Sequence, residues 1–376
     1  RAGPLPRPFR PGCPALDLFP RKTWARLAMR HARRLSVPGL DLGDPSGLAV
    51  LREAICAHVS TSRGVRCTPE RVVVTAGIQQ AIELAARMLL DPGDAAWLEE
   101  PSFLGARSAL TAASARIVPV PTDGEGMRVE DGRALAPDAR LAFATPSHQF
   151  PLGVTMSLAR RLALLRWAGE AGAWIIEDDY DSEFRYAGRP LTALQGLDAG
   201  ERVIYVGTFS KTLFPALRLG FAVLPGELVE PFRRVRSVTD QQPPALEQAV
   251  LADFIGEGHF ARHLRRMRRA YEARRDLLVS SLASELGGAF QHRPVDAGLH
   301  LAGLLAPGVD DVRVSTLCLR GGVEVGPLSR YHLGPCDRGG LILGFGAARE
   351  EEIPRAVRVL ARVVEGEMRG VRERIA

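Results

Sequence analysis

RVIYVGTFSKTLFPALRLG, residues 202–220, runs from an apolar stretch into a lysine and on into a second apolar stretch. Lys211 and Lys22 are the only lysines in a chain with 49 Lys and Arg residues. Arginine serves almost everywhere else, so position 211 asks for something a guanidinium lacks. A guanidinium stays protonated, whereas a desolvated amine loses its proton and attacks a carbonyl carbon. A lone lysine in a loop is most often a solvated charge. Here RVIYVGTF has the composition of a buried strand and LFPAL follows, which puts the amine at a strand end, in surroundings that lower its pKa.

Outward from this stretch, strand-like runs alternate with helix-like periods between about residues 50 and 245. VVVTAG (72–77) precedes IQQAIELAARMLL, and AAWLEE (95–100) and ARIVPVPT (115–122) come next. LAFATP (141–146) precedes SLARRLALLRWAGEAG, and AWIIEDD (173–179), RVIYVGTF (202–209) and FAVLP (221–225) complete the series. Strands this apolar, spaced by helices, predict an α/β fold: a mostly parallel sheet covered by helices on both faces, with its ligand at the carboxyl ends of the strands.

After Pro244 the pattern changes. A long helix within 258–286 sets Phe260, Leu264, Met267, Tyr271 and Leu278 on one stripe, and GLHLAGLL, GLILGFGA and IPRAVRVLARVVEG follow. These predict a smaller α+β unit. The expected division is a linker and N-terminal arm over 1–45, a large domain over 46–250 and a small C-terminal domain over 251–376. Residues 1–14, RAGPLPRPFRPGCP, hold five prolines and two glycines and read as an extended linker, with the arm folding back onto the second unit. The missing initiator methionine adds the expectation of a segment upstream.

Composition narrows the function classes. At 46% hydrophobic and 24% charged the chain is of globular type, and no apolar run approaches the roughly 18 residues that cross a bilayer, so a soluble, cytoplasmic protein is expected. Five scattered cysteines with no CxxC pair exclude a zinc ribbon and suit free thiols in a reducing compartment. The net charge of +6 permits nucleic-acid contact without arguing for it. The arginines between 262 and 275 flank the apolar stripe; a solvated helix face is the first reading, a phosphate-binding face the second.

Further groups gather at the other strand ends. Gly77, Ile78 and Gln79 sit where a strand turns into a helix, so free amides and the helix dipole suit a phosphate. Arg218, seven residues after Lys211, adds a bidentate cation, with the Thr208 and Ser210 hydroxyls nearby. Phe103, just past a strand end, suits stacking on a flat ring, though core packing is its commoner use. Asp178 and Tyr180 end the most apolar strand, where a carboxylate is costly without a cationic or hydrogen-bonding partner. A protonated pyridine nitrogen is such a partner. An acidic divalent-metal site in EDDYD is the weaker reading, because no further ligands stand at matching spacing. A nucleophilic lysine, an aspartate for a ring nitrogen, an aromatic for stacking and a glycine turn with arginine for phosphate are together what pyridoxal 5′-phosphate requires.

SKTLFPALRLG, IIEDDYDSEFRY, TPSHQFPLG and GDPSGLAVLREAI resemble the fold type I pyridoxal-phosphate proteins, and more closely the aminotransferase-like domain of the MocR regulators in the GntR superfamily. The resemblance covers essentially the whole chain. It implies Lys211 as the Schiff-base lysine, Asp178 as partner of the pyridine nitrogen, Tyr180 facing the cofactor's phenolic oxygen, Phe103 stacking, and Gly77, Ile78, Gln79, Thr208 and Arg218 as the phosphate cup. His148 or Gln149 stands where simple aminotransferases have an asparagine beside the phenolic oxygen. It also implies a homodimer, and an upstream winged helix-turn-helix as the contact to DNA.

Two places depart from the family pattern. Leu42 and Leu48 occupy the YGDPxGY segment, where relatives often carry a tyrosine that reaches the partner subunit's cofactor. Ile342 occupies the place from which many aminotransferases grip the substrate carboxylate with arginine, and Arg330 and Arg338 do not fit that motif. The resemblance therefore implies first an effector-sensing and dimerising domain of a transcription regulator, responding to a small amine, amino acid or B6 vitamer. The alternative is a free-standing aminotransferase with Lys211 as general base.

Overall fold

The computed structural model describes residues 6–188 and 191–375. β1 (Val72–Thr75), β2 (Ala95–Glu100), β3 (Arg116–Asp123), β4 (Gly126–Met127), β5 (Leu141–Ala144), β6 (Trp174–Asp179), β7 (Val203–Thr208) and β8 (Gly220–Val223) form one sheet in the order β1-β8-β7-β6-β5-β2-β3-β4. Pairing is parallel from β3 through β2, β5 and β6 to β7. β8 lies antiparallel between β7 and β1. The reversal is local: the chain leaves β7, makes a single 3₁₀ turn at Pro215–Leu217 and returns as β8, too short a path for a parallel crossover.

The central strands are apolar because helices cover both faces. Every residue of β5 and β7 is buried. On one face, helix Leu158–Ala171 docks through Trp167, whose ring stacks on Trp97 of β2 at 3.7 Å between centroids. On the other, helix Ile78–Leu89 buries Ala81, Ile82, Leu84, Ala85 and Ala86. Each large side chain so buried contributes ~1.5–3 kcal/mol.

The smaller sheet comprises β9 (Phe290–His292), β10 (His300–Leu305), β11 (Gly326–Pro327) and β12 (Gly340–Gly344), antiparallel in the order β11-β12-β10-β9. Helices His259–Glu285, Asp311–Arg320 and Ile353–Ile375 belong to this part of the chain. The stripe of Phe260, Leu264, Met267, Tyr271 and Leu278 is buried. Several flanking arginines are anchored within the chain: Arg274 donates to the Gly346 carbonyl, Arg268 to the Glu183 carbonyl at 2.8 Å, and Arg275 lies over the Tyr186 ring. They serve packing more than a phosphate-binding face.

From Phe9 onward the proline-rich start is packed, not a free spacer. Phe9 is fully buried and its carbonyl accepts the Gly344 N–H at 2.9 Å, the Glu324 N–H reaches the Pro8 carbonyl at 3.0 Å, and the Ala15 N–H reaches the Tyr271 hydroxyl at 2.9 Å. A Cβ on Gly344 would lie 2.2 Å from the Arg10 carbonyl oxygen, so only glycine lets the arm lie on β12. The arm then carries Pro11 and Gly12 to the large sheet. Among the described residues no helix is long and apolar enough to cross a membrane.

Candidate cofactor site

Because β1, β2, β5, β6 and β7 point the same way, their carboxyl ends share one edge. β8 runs oppositely, which brings Arg218 to that edge as well. A cavity of about 400 Å³ opens there. Lys211, Asp178 and Tyr180 line it, as do Ile78, Gln79 and Phe103, and Thr208, Ser210 and Arg218.

Lys211 Nζ donates to the Gly12 carbonyl at 2.8 Å. Burial lowers its pKa, while the Asp181 and Asp178 carboxyls oppose that effect. Asp178 is buried, and its Oδ1 has no hydrogen-bond partner. Burial pushes its carboxyl well up, with Asp179 and Asp181 adding to the effect and Lys211 opposing it. An uncompensated carboxyl of this kind destabilises the fold until a cation or donor meets it.

Strand alternation gives the neighbouring acids other partners. Asp179 accepts from Arg63 Nε and the Tyr205 hydroxyl, both at 2.7 Å. Burial is the strongest influence and would raise its carboxyl, but Arg63 and the hydrogen bonds of Ser182 and Tyr205 together hold the group below its usual range. Glu177 accepts the Leu194 and Gln195 N–H groups at 2.7 and 2.8 Å, and burial pushes it up to about 7. EDDYD is thus divided, with Glu177 and Asp179 bonded away from the cavity that Asp178 and Asp181 line.

Gly77 has φ +95, and a Cβ there would lie 3.1 Å from an Arg218 nitrogen. Its backbone leads into helix Ile78–Leu89, whose first amides have no partner within the helix. Arg218, itself at φ +54, donates to the Ala76 carbonyl at 2.8 Å, so guanidinium and helix start converge on one corner. Thr208 Oγ accepts the Ser210 N–H at 3.1 Å beside them. Phe103 precedes helix Leu104–Ala112 and meets Phe150 edge-on, centroids 6.1 Å apart.

His148 and Gln149 part company. His148 Nδ1 lies 3.0 Å from the Tyr180 hydroxyl and 3.1 Å from Asp181 Oδ1. Neither side chain lines the cavity directly: Gln149 Nε2 donates to the Pro101 and Phe150 carbonyls at 2.8 and 2.9 Å, whereas His148 lies behind Tyr180. His148, Asp181 and His300 bring ligand-type atoms within 4.8 Å of one another. Protein hydrogen bonds already use them, His300 Nε2 reaching the Pro151 carbonyl at 3.0 Å. Asp181, His300, Tyr331 and the Pro11–Gly12 pair line the cavity without having been singled out in the sequence. Only Asp181 carried a local signal, in DDYDS; the others arrive from distant segments.

The description Aminotransferase class I and II matches residues 22–359. The probable rhizopine catabolism regulatory protein MocR of Rhizobium meliloti is 45% identical over 337 residues, which cover 90% of this chain and 68% of that protein. The chain belongs to the MocR-type regulators of this aminotransferase family. Other relatives of this MocR-type chain bear the names of HTH-type transcriptional regulators. An archaeal alanine:glyoxylate aminotransferase superposes with a TM-score of 0.90 at 29% identity, covering 97% of this chain and 92% of its own. LysN of Thermus thermophilus, an α-aminoadipate aminotransferase complexed with N-(5′-phosphopyridoxyl)-L-leucine, superposes at 0.88 with 29% identity, covering 96% and 93%. The fold is that of the fold type I aminotransferases, and pyridoxal 5′-phosphate is the cofactor that goes with it.

Within the MocR-type chain, Ile342 is fully buried in β12, paired with Ala302 and Gly326. Arg338 donates to the Leu305 carbonyl and to Gln291, away from the cavity. Leu48 packs against the core and gives its N–H to Gln248 at 2.8 Å, whereas Leu42 is 64% exposed.

Proposed function

We propose that this domain holds pyridoxal 5′-phosphate through Lys211, senses a small amine or amino acid there, and relays occupancy to a DNA-binding module elsewhere in the protein. The observation that carries the reading is the buried, partnerless Asp178 Oδ1 in the same cavity as the amine of Lys211. The residues fit the group at each end. Asp178 would meet the ring nitrogen, Arg218 and the amides after Gly77 the phosphate, Tyr180 the phenolic oxygen, and Phe103 the ring face.

When bound, the cofactor supplies an aldehyde carbon for an amine and an electron-withdrawing ring. The chain's part is to prepare the groups. Burial keeps a larger fraction of Lys211 in the neutral, nucleophilic form. The Gly12 carbonyl orients its Nζ, and Asp178 holds or shares a proton at Oδ1. His148 Nδ1 bridges the Asp181 carboxyl and the Tyr180 hydroxyl, which positions that hydroxyl at the cavity. Pro11 and Phe150 form an apolar part of the cavity wall.

The relay follows from the arm. Gly12 touches Lys211, and the arm is tied to β12 through Phe9, so a change at the amine bears on the segment leading toward the chain's start. A homodimer is part of the proposal, supported by exposed apolar side chains at Val37 (83%), Leu40 (72%), Leu42 (64%) and Val238 (85%). So are a cytoplasmic location and DNA contact through a winged helix-turn-helix.

The test combines spectra with promoter binding. The loaded full-length regulator is titrated with amines and amino acids while its band and its DNA affinity are followed. An effector that shifts both supports the reading; a band shift with release of a keto acid and no DNA response at any ligand concentration supports a free-standing aminotransferase instead.

A further inference from the structure

The charges around the cavity indicate the kind of ligand that fits beside the cofactor, an inference that rests on the cofactor assignment above. The charged side chains that line it are Lys211, Arg218, Asp178 and Asp181. Arg218 stands at the Gly77 corner, where the phosphate belongs, and Lys211 is the amine that holds the cofactor. What remains for a ligand is acidic Asp181 and a set of neutral groups: Gly12, Phe150, His300 and Tyr331.

The arginines in reach are committed elsewhere. Arg10 is exposed and pairs with Glu324 at 3.6 Å, Arg338 holds the Leu305 carbonyl, and Arg107 reaches the His332 carbonyl at 3.4 Å. Arg330 does not line the cavity, and β12 presents the buried Ile342. An α-carboxylate bound here would lose its water and meet the Asp181 carboxyl with no fixed cation among the described residues left to receive it.

The neutral groups have a sense. His300 Nε2 faces the Pro151 carbonyl, which only accepts, so Nε2 carries the hydrogen. Burial and the neighbouring His148 push the ring down to about 4, which keeps it neutral at pH 7. Its Nδ1 is then an acceptor with no partner among the described residues. The Tyr331 hydroxyl, on a ring 5.3 Å from that of Phe150 between centroids, likewise has none. An acceptor and a hydroxyl at the pocket wall, away from the Arg218 corner, match a ligand hydroxyl.

We infer that the ligand of this site is a small hydroxylated primary amine without a carboxylate on the amine-bearing carbon. The test uses matched pairs on the cofactor-loaded 376-residue chain. 2-Aminoethanol and L-serine differ by that carboxylate alone, and 2-aminoethanol and n-propylamine by the hydroxyl. Apparent Kd values come from the visible band and, independently, from calorimetry. 2-Aminoethanol is expected to bind about tenfold more tightly than either partner, the size of one unpaired polar group. His300→Phe is expected to erase the preference over n-propylamine, an effect that a merely structural role for His300 would not produce.

Serine binding as tightly as 2-aminoethanol overturns the inference whatever the source of the missing cation. So does a preference over n-propylamine that survives in a folded H300F variant. Amino alcohols that leave an intact band unmoved overturn it too. A protein without any cofactor band fails at the earlier step, removing the cofactor assignment and this inference together.

Discussion

Lys211 Nζ and the Gly12 carbonyl oxygen, 199 positions apart in sequence, lie 2.8 Å from each other. The contact joins the Lys211 amine, at the edge of the large sheet, to an arm anchored on the small one. It makes the arm part of the site instead of a tether leading to it.

Gly12 has φ +67, and a Cβ there would lie 2.6 Å from Lys211 Nζ. Gly12→Ala therefore meets both backbone strain and a clash with the amine. The strained backbone is expected to cost ~1–3 kcal/mol of stability, and cofactor affinity is expected to fall because the added methyl displaces the Lys211 amine. Titration followed at the visible band, with circular dichroism to verify folding, measures this; unchanged affinity would sever the arm from the site.

Asp178→Asn removes a buried carboxyl whose Oδ1 lacks a partner. In the cofactor-free protein the variant is expected to be more stable, with Tm higher by about 2–4 °C per kcal/mol relieved. On loading the order reverses, because the ring nitrogen loses its acidic partner and the Tm gain from the cofactor shrinks. Two melting curves per protein, with and without cofactor, decide it.

Arg218 donates to the Ala76 carbonyl beside the helix start, at the corner proposed for the phosphate. Arg218→Ala is expected to weaken pyridoxal 5′-phosphate by ~10–100-fold, the range of a lost charge-assisted hydrogen bond. Pyridoxal without phosphate should bind both proteins alike. An equal loss for both compounds would mean that Arg218 shapes the site instead of holding the phosphate.

Burial pushes Glu99 up from 4.5 to about 7, against hydrogen bonds from Thr145 and Gln149. The folded state then keeps a proton that the unfolded chain releases between about pH 4.5 and 7. The stability this group contributes is complete below about pH 4.5 and is lost as pH rises through about 7. Glu99→Gln mimics the protonated form, with its amide nitrogen at the partnerless Oε1 position and its carbonyl accepting from Thr145. The stability difference between variant and native protein should grow in the variant's favour by roughly 2–4 kcal/mol over that window. Denaturant titrations at several pH values would reveal a flat difference if Glu99 titrates normally.

Legibility in the sequence followed the range of the contacts. The apolar strands and the groups at their ends, Lys211, Asp178 and Arg218, were readable because residues adjacent in sequence stay adjacent at a strand terminus. His148 and Gln149 were not separable, since either of two successive residues meets the chemical requirement and only packing decides which faces Tyr180. Gly12, His300 and Tyr331 reach the cavity from the arm and the small domain, where no local pattern announces a destination. The proline-rich start was legible only as irregular chain: proline content signals the lack of regular structure and gives no sign that Phe9 is the residue buried on β12.

The most direct measurement exploits the two lysines of the chain. The cofactor-loaded protein is reduced with borohydride, which fixes the cofactor to whichever nitrogen holds it, then digested and read by mass spectrometry. The mass of reduced pyridoxal phosphate is expected on the peptide that contains Lys211 and on no other. Addition at Lys22 alone, or a loaded protein with no lysine modified, would contradict the account at its centre.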